Sequence, residues 1–168
     1  MMSRIFTVLS AINIGLLAMT FAGGSRPTLT GGVQHHILLA LFACIYACFV
    51  HSLVYVYFLG TGRWIKEFVT RNGIPEKYLQ QSKRLKARAF PIGLYAALIT
   101  LAGAVSGGFL YSRFRGGTEI GRVATMHLVV GVLVLGLNIY AAWREVRLMQ
   151  SNAGIMRELE KFIPAGVA

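Results

Sequence analysis

Residues 37–59 read ILLALFACIYACFVHSLVYVYFL, an apolar run that contains no Lys, Arg, Asp or Glu. At about 1.5 Å per residue, a helix of this length crosses the roughly 30 Å hydrocarbon core of a bilayer. Three further uncharged runs approach or reach the same length, at residues 5–22, 90–111 and 123–142. None of them alternates polar and apolar residues as a barrel strand does. The sequence therefore predicts an all-α polytopic membrane protein, a four-transmembrane-helix bundle in one domain over residues 1–168.

The composition agrees with this class. The chain is 55% hydrophobic and 14% charged, with a mean hydropathy of +0.60, whereas soluble domains contain about 25% charged residues. Neither a disordered chain nor a water-soluble one is expected. The first apolar run also has the pattern of a cleaved signal peptide, but Asn13 interrupts its centre, and we favour a retained span.

The distribution of basic residues predicts the orientation. With four spans, both termini and the segment between spans two and three lie on one side, and that side holds 13 of the 17 Lys and Arg. Basic residues concentrate on the cytoplasmic side of membrane proteins. Both termini are therefore predicted to be cytoplasmic, with the protein in an inner or plasma membrane. Since the net charge of +11 follows from this topology, no nucleic-acid partner is expected.

Two cytoplasmic segments are predicted to be helical. Between spans two and three, helical pieces at 63–71 and 76–88 flank Asn72-Gly73, a pair typical of a helix end, and form a helical hairpin. Four basic residues crowd the membrane end of this hairpin, where they would contact anionic lipid headgroups or an acidic soluble partner: Lys83, Arg84, Lys86 and Arg88. An amphipathic helix over about 143–162 follows span four, with Leu148, Ile155, Leu159 and Phe162 on its apolar stripe.

Each of the four spans contains a polar residue at a similar distance from the cytoplasmic surface. Counting along the helices predicts one buried polar layer that links all four spans: Asn13, His51, Thr100 and Asn138. Its role is either to hold the helices together or to form a pocket for a lipid or small molecule. No Asp or Glu lies inside any predicted span, so the parts of a carboxylate proton relay are missing.

Histidines mark the opposite end of the bundle. His36 and His127 lie at similar depth on spans two and four, and two histidines facing each other across a bundle are suitable axial ligands for a b-type haem. His35 is an alternative to His36. The arrangement resembles, in architecture only, the few-helix cytochrome b anchors of respiratory oxidoreductases. No motif of that family matches residue by residue, so no property of the family is carried over. The histidine pair itself predicts a haem b cofactor in an electron-transfer subunit of a larger membrane complex.

Other interpretations remain open. Cys44, Cys48 and His51 share one helical stripe, but a copper site would need a further ligand, and no metal site is predicted. Gly103 and Gly107 form a GxxxG pattern that serves packing within the bundle or a homo-oligomer. We expect an anchor or accessory subunit without catalytic activity of its own, associated with membrane lipids and other subunits. The alternatives are a haem-free scaffold and a lipid- or small-molecule-binding protein that uses the His51 layer.

Overall fold

The computed structural model describes residues 2–26, 32–113 and 120–163, with side chains for all of these except 110–113 and 120–124. The described residues form four helices and no strand: α1 (Met2–Ser25), α2 (Val33–Arg71), α3 (Lys77–Arg113) and α4 (Ile120–Glu160). All four are long and apolar enough to cross a membrane. The all-helical prediction with four apolar helices is confirmed. The predicted ends of the third and fourth spans, at 111 and 123, lie outside the described side chains.

Helix α2 is longer than the sequence pattern predicts. We expected Gly60-Thr61-Gly62 to separate the second span from a further helical piece, yet α2 continues through both glycines to Arg71. A glycine inside a helix costs only about 1 kcal/mol, and packing of α2 against α3 and α4 outweighs that cost. The predicted stop at Asn72-Gly73 is confirmed. Gly73 has a φ of 62°, and the backbone N–H of Asn72 donates to the carbonyl of Phe68.

Neighbouring helices in the chain run antiparallel. Helix α1 and helix α3 each pack against α2 and α4, so they lie on opposite sides of the bundle. Helices α2 and α4 run parallel and approach each other across its centre, where His51 contacts both Asn138 and Glu145. A side chain on α2 or α4 that points inward therefore reaches all three other helices.

The outer surface of the bundle is apolar. Only 22% to 33% of each apolar window is buried inside the bundle, and large side chains such as Leu38, Ile45 and Val105 are more than 60% exposed. Soluble monomers rarely expose apolar surface on this scale. The four exposed apolar faces indicate a membrane location.

A seven-residue repeat organises the buried face of α4. Its members alternate spacings of four and three, the pattern of knobs-into-holes packing, and each is at most 8% exposed: Val134, Asn138, Ala141, Glu145, Leu148, Asn152, Ile155 and Leu159. Three of the eight are polar, and they recur every seven residues. Helix α4 thus carries three polar groups into the centre at regular intervals of about 10.5 Å.

Helices α2, α3 and α4 continue beyond α1 as a three-helix extension. Its core contains Ile65, Val69, Ile74, Ile155 and Leu159. The predicted amphipathic C-terminal segment is the last part of α4. Ile155 and Leu159 of its stripe pack into this core, and Leu148 packs into the neighbouring core around Val54 and Phe58. Phe162 is 49% exposed and makes an edge contact with the ring of Tyr78.

Candidate functional site

The centre of the bundle contains a histidine with both ring nitrogens engaged. His51 is 1% exposed, and its Nδ1 lies 3.1 and 3.0 Å from the two carboxylate oxygens of Glu145. Its Nε2 lies 3.1 Å from Oδ1 of Asn138. The side chain of Glu145 is fully buried. Helix α2 therefore supplies the imidazole ring, and helix α4 supplies a partner for each of its nitrogens, Asn138 on one side of the ring and Glu145 on the other.

The orientation of the Asn138 amide fixes one proton of His51. The Asn138 Nδ2 donates to the backbone carbonyl of Val134 and to Oγ1 of Thr100, both at 2.8 Å. A carbonyl only accepts, so the amide nitrogen must face it and Oδ1 must face His51. Because Oδ1 also only accepts, Nε2 of His51 carries a hydrogen and donates it.

A second proton lies between His51 and Glu145. If it is on Nδ1, an imidazolium faces a carboxylate; if it is on the carboxyl group, a neutral acid donates to Nδ1. The pair has no net charge in either case. Without that proton, the lone pair of Nδ1 would face a carboxylate in a buried site, which is unfavourable for both groups. The two residues therefore act as one neutral unit that holds a shared proton.

Two more helices complete this layer. Asn13 on α1 donates from Nδ2 to Oδ1 of Asn138 at 3.2 Å, and Thr100 on α3 donates to the carbonyl of Ala96 at 2.7 Å while accepting from Asn138. The structure thus brings together the four polar residues singled out from the sequence. Asn138 is the common partner of the other three. Oδ1 of Asn13 has no hydrogen-bond partner.

Glu145 is the member that the sequence analysis missed. We ended the fourth span at residue 142, with Trp143 at the interface, and so placed Glu145 in the amphipathic segment that follows the span. Its side chain is instead 0% exposed and lies inside the helical bundle. The available signal was spacing, because Glu145 lies seven residues after Asn138 and seven before Asn152. Seven residues bring a helix back to nearly the same face.

A glycine on α3 makes room for this carboxylate. A Cβ at Gly93 would lie 2.7 Å from Oε1 of Glu145 and 3.4 Å from the hydroxyl of Tyr55. That hydroxyl donates to the carbonyl of Phe90 at 2.7 Å, next to Pro91, where α3 lacks a backbone N–H. Helix α3 thus approaches the His51–Glu145 pair through its backbone.

A second polar cluster lies in the three-helix extension. Asn152 is fully buried; its Oδ1 accepts from Ser82 at 2.8 Å, and its Nδ2 donates to Thr61 at 2.9 Å and to Tyr57 at 3.4 Å. These residues come from α2, α3 and α4. Both polar atoms of the Asn152 side chain have protein partners, so this cluster has a structural role.

His36 and His127 meet at the other end of the bundle. Their ring centroids are 6.3 Å apart, and the ring planes are nearly perpendicular at 84°. The two residues come from α2 and α4, as predicted. The Nδ1 atoms of both rings are buried and have no hydrogen-bond partner among the residues that the structure describes. This pair differs from His51 because the protein leaves one nitrogen of each ring unsatisfied.

Glycines on the flanking helices lie against these two rings. A Cβ at Gly24 of α1 would lie 3.2 Å from Cε1 of His36, and a Cβ at Gly107 of α3 would lie 2.7 Å from Cε1 of His127. Gly103, the other member of the GxxxG pattern, faces Val134 of α4. The pattern therefore serves packing within the bundle.

The remaining residues that the sequence analysis considered as ligands, namely His35, Cys44 and Cys48, lie outside the pair formed by His36 and His127. His35 is exposed on α2 and is not part of the ring pair between His36 and His127. Cys44 and Cys48 are free cysteines, and His51 uses both nitrogens on protein groups. Within the described part of the chain, no group of three or more His, Cys, Asp or Glu could hold a metal ion.

The basic cluster of α3 divides between two grooves. Lys83 and Lys86 line a groove of about 270 Å³ between α2 and α3. Arg84 and Arg88 line another, of about 350 Å³, between α3 and α4. The four side chains are therefore two pairs on different sides of one helix and not a single patch.

No protein-family model, curated protein or solved structure matches this chain.

Proposed function

We propose that this chain is a small integral membrane anchor or accessory subunit that holds one b-type haem between His36 and His127. The observation that carries the proposal is the ring pair, in which two imidazoles from facing helices lie 6.3 Å apart. The two imidazoles would hold the iron of such a group.

One further feature fits such a group. Both rings have a buried nitrogen without a partner among the described residues, and an unsatisfied buried nitrogen costs about 1–3 kcal/mol. A bound haem would supply one-electron transfer. The chain's own part would be to hold the two imidazoles in place and to keep water away from them.

A reduced-minus-oxidised visible spectrum of the purified protein, produced with ample haem, tests this proposal. We expect a sharp α band that corresponds to one haem per chain and is lost in His36→Ala and in His127→Ala. His35→Ala is the matched control, because it removes the adjacent, exposed histidine and should keep the band. A flat wild-type spectrum, or a band that survives His127→Ala, would contradict the haem assignment.

The second candidate is a haem-free structural anchor. The satisfied polar layer around Asn138 favours it, since this layer joins all four helices without leaving a ring nitrogen of His51 for a ligand. Because both ring nitrogens of His51 already contact protein groups, the structure also argues against a lipid or small-molecule site at His51. A protein with no haem band that keeps its fold in His36→Ala and His127→Ala would fit this candidate.

The placement in the membrane belongs to the same proposal. We place both termini and the three-helix extension in the cytoplasm of a cell with an inner or plasma membrane, because this side holds most of the basic residues. Ser151→Cys in the extension and Ser25→Cys at the end of α1 are exposed positions for labelling. In intact cells, an impermeant thiol reagent should label the Ser25→Cys protein only. Labelling of Ser151→Cys would reverse the topology.

A further inference from the structure

We propose that the groove between α2 and α3 is a binding site for the headgroup of an anionic phospholipid. The proposal rests on the membrane placement above and is independent of the haem. Four cations line the groove, Arg63 and Lys66 from α2 and Lys83 and Lys86 from α3. No acidic residue lines it among the described residues. Glu67 of α2 pairs with Arg63 at 2.9 Å, so Arg63 contributes less net charge to the groove than the three lysines do.

The cations of the two helices lie at one level. On α2, Arg63 and Lys66 follow Leu59, the end of the apolar run, by four and seven residues; on α3, Lys86 and Lys83 precede Phe90 by the same numbers. These spacings place them about 6 and 10 Å beyond the apolar region on both helices. The headgroup layer is roughly 5–8 Å thick on each side of the hydrocarbon core. Arg63 and Lys86 therefore lie within the headgroup layer, and Lys66 and Lys83 lie just beyond it, at a distance from which long lysine side chains reach back to the phosphates.

The walls of the groove change character along the helix axes. Phe58 and Leu59 line the end next to the apolar region, and the four cations line the part beyond them. Leu79 of α3 closes the groove at its far end. An acyl chain and a phosphate group have this same order. A soluble acidic protein would contact the cations but not the apolar end of the groove, because that end faces the hydrocarbon core. This arrangement favours a lipid over an acidic protein.

Gly62 keeps the groove open. It lines the groove, and a Cβ added there would meet nothing within 4 Å. A larger side chain at this position would fill the groove without a clash and without any change in charge. Gly60 is a matched control, since it is equally open but does not line the groove.

Native mass spectrometry of the full chain, titrated with phosphatidylglycerol or phosphatidylcholine, tests the site. We expect the wild type to bind phosphatidylglycerol more tightly, and the double variant Lys83→Gln/Lys86→Gln to lose about 30-fold in affinity, since each cation near a charged membrane surface contributes about fivefold. Arg84→Gln/Arg88→Gln removes the same charge from the other groove and should lose less than about threefold. Gly62→Leu should weaken binding, and Gly60→Leu should not.

Several results would overturn the proposal. The groove is the wrong site if the two double variants lose the same affinity for phosphatidylglycerol or if Gly62→Leu leaves that affinity unchanged. An anionic lipid is the wrong ligand if both lipids bind with equal affinity or if inorganic phosphate competes as strongly as the lipid does. Preferential binding of polyglutamate, used in place of an acidic protein, would favour a protein partner. Carbonate extraction of wild-type membranes tests the membrane placement by itself. Loss of lipid selectivity in an embedded protein therefore counts against the groove alone.

Discussion

The two histidine layers of this bundle use the same side chain in opposite ways. His51 is 1% exposed, and both of its nitrogens contact protein groups. His36 and His127 are half-buried and face each other, and one buried nitrogen of each has no partner. A buried polar group whose hydrogen bonds are complete stabilises the fold and is not available to a ligand. The comparison therefore indicates a structural role for the layer around His51, whereas the layer of His36 and His127 is the one that leaves nitrogens for the haem proposed above.

Alanine substitution at each histidine gives the largest contrast. His51→Ala leaves the buried carboxyl of Glu145 without its partner, and breaking a buried pair in this way costs about 3–5 kcal/mol. His127→Ala removes a ring with an unsatisfied nitrogen, so we expect the free energy of unfolding to change by less than about 1 kcal/mol. Equilibrium unfolding in detergent measures both values. Equal losses in the two variants would remove the distinction between the layers.

Gly93→Ala on α3 would disturb the layer around His51 and Glu145. The new Cβ would lie 2.7 Å from Oε1 of Glu145, and overpacking of this kind costs about 1–3 kcal/mol. Gly107→Ala makes an equally close contact with the ring of His127 and should weaken the haem band more than it lowers stability. Gly108→Ala, at a position with open space, is the control. If Gly93→Ala is as stable as this control, the tight contact with Glu145 is wrong.

Glu145→Gln tests whether the inner pair needs a charge or only a hydrogen bond. The amide can donate to Nδ1 of His51 and keeps the unit neutral, so the free energy of unfolding should fall by only about 1 kcal/mol. Thermal unfolding compared with that of Glu145→Ala shows the difference. Glu158→Ala, which removes an exposed partner of Lys161, should cost less than about 1 kcal/mol. A loss in Glu145→Gln as large as in Glu145→Ala would mean that the carboxylate itself is essential.

Asn13→Ala should have the smallest effect. Asn13 contributes one hydrogen bond of 3.2 Å to Asn138, and its own Oδ1 has no partner. Hydrogen bonds between membrane helices are worth about 0.6 kcal/mol on average. We expect a loss of that size in steric-trap or detergent unfolding. A loss above about 2 kcal/mol would show that Asn13 supports Asn138 more strongly than its single bond indicates.

The sequence predicted the apolar helices and the depth of four polar residues, because hydrophobic length and rise per residue determine both. The sequence-based prediction failed where neighbouring residues suggested an exposed side chain or a helix break but tertiary packing buries the side chain or keeps the helix intact. Glu145 lies among Trp143, Arg144 and Arg147, which look interfacial, yet its own side chain points to the centre. Gly60 and Gly62 looked like a break, but three packed helices keep α2 straight through them.

The division of the four basic residues of α3 between two faces could have been predicted from their spacing in the sequence. Lys83 and Lys86 are three residues apart, and Arg84 and Arg88 are four apart, so each pair shares one face of α3 and the two pairs do not. The bond pattern around Asn138 could not be predicted in the same way. It depends on the rotation of each helix about its own axis, which only the packed bundle determines.

The seven-residue series on α4 has a consequence for how the protein is made. Helices α1 to α3 precede α4 along the chain, so during synthesis His51, Asn13 and Thr100 enter the bilayer before their partner Asn138 exists. Polar groups in hydrocarbon are expensive when they are unpaired. The incomplete three-helix intermediate should therefore remain beside the insertion machinery until α4 arrives. Because Asn138, Glu145 and Asn152 dock at three levels, α4 can enter in one register only, and a shift by a single turn would leave all three unpaired together.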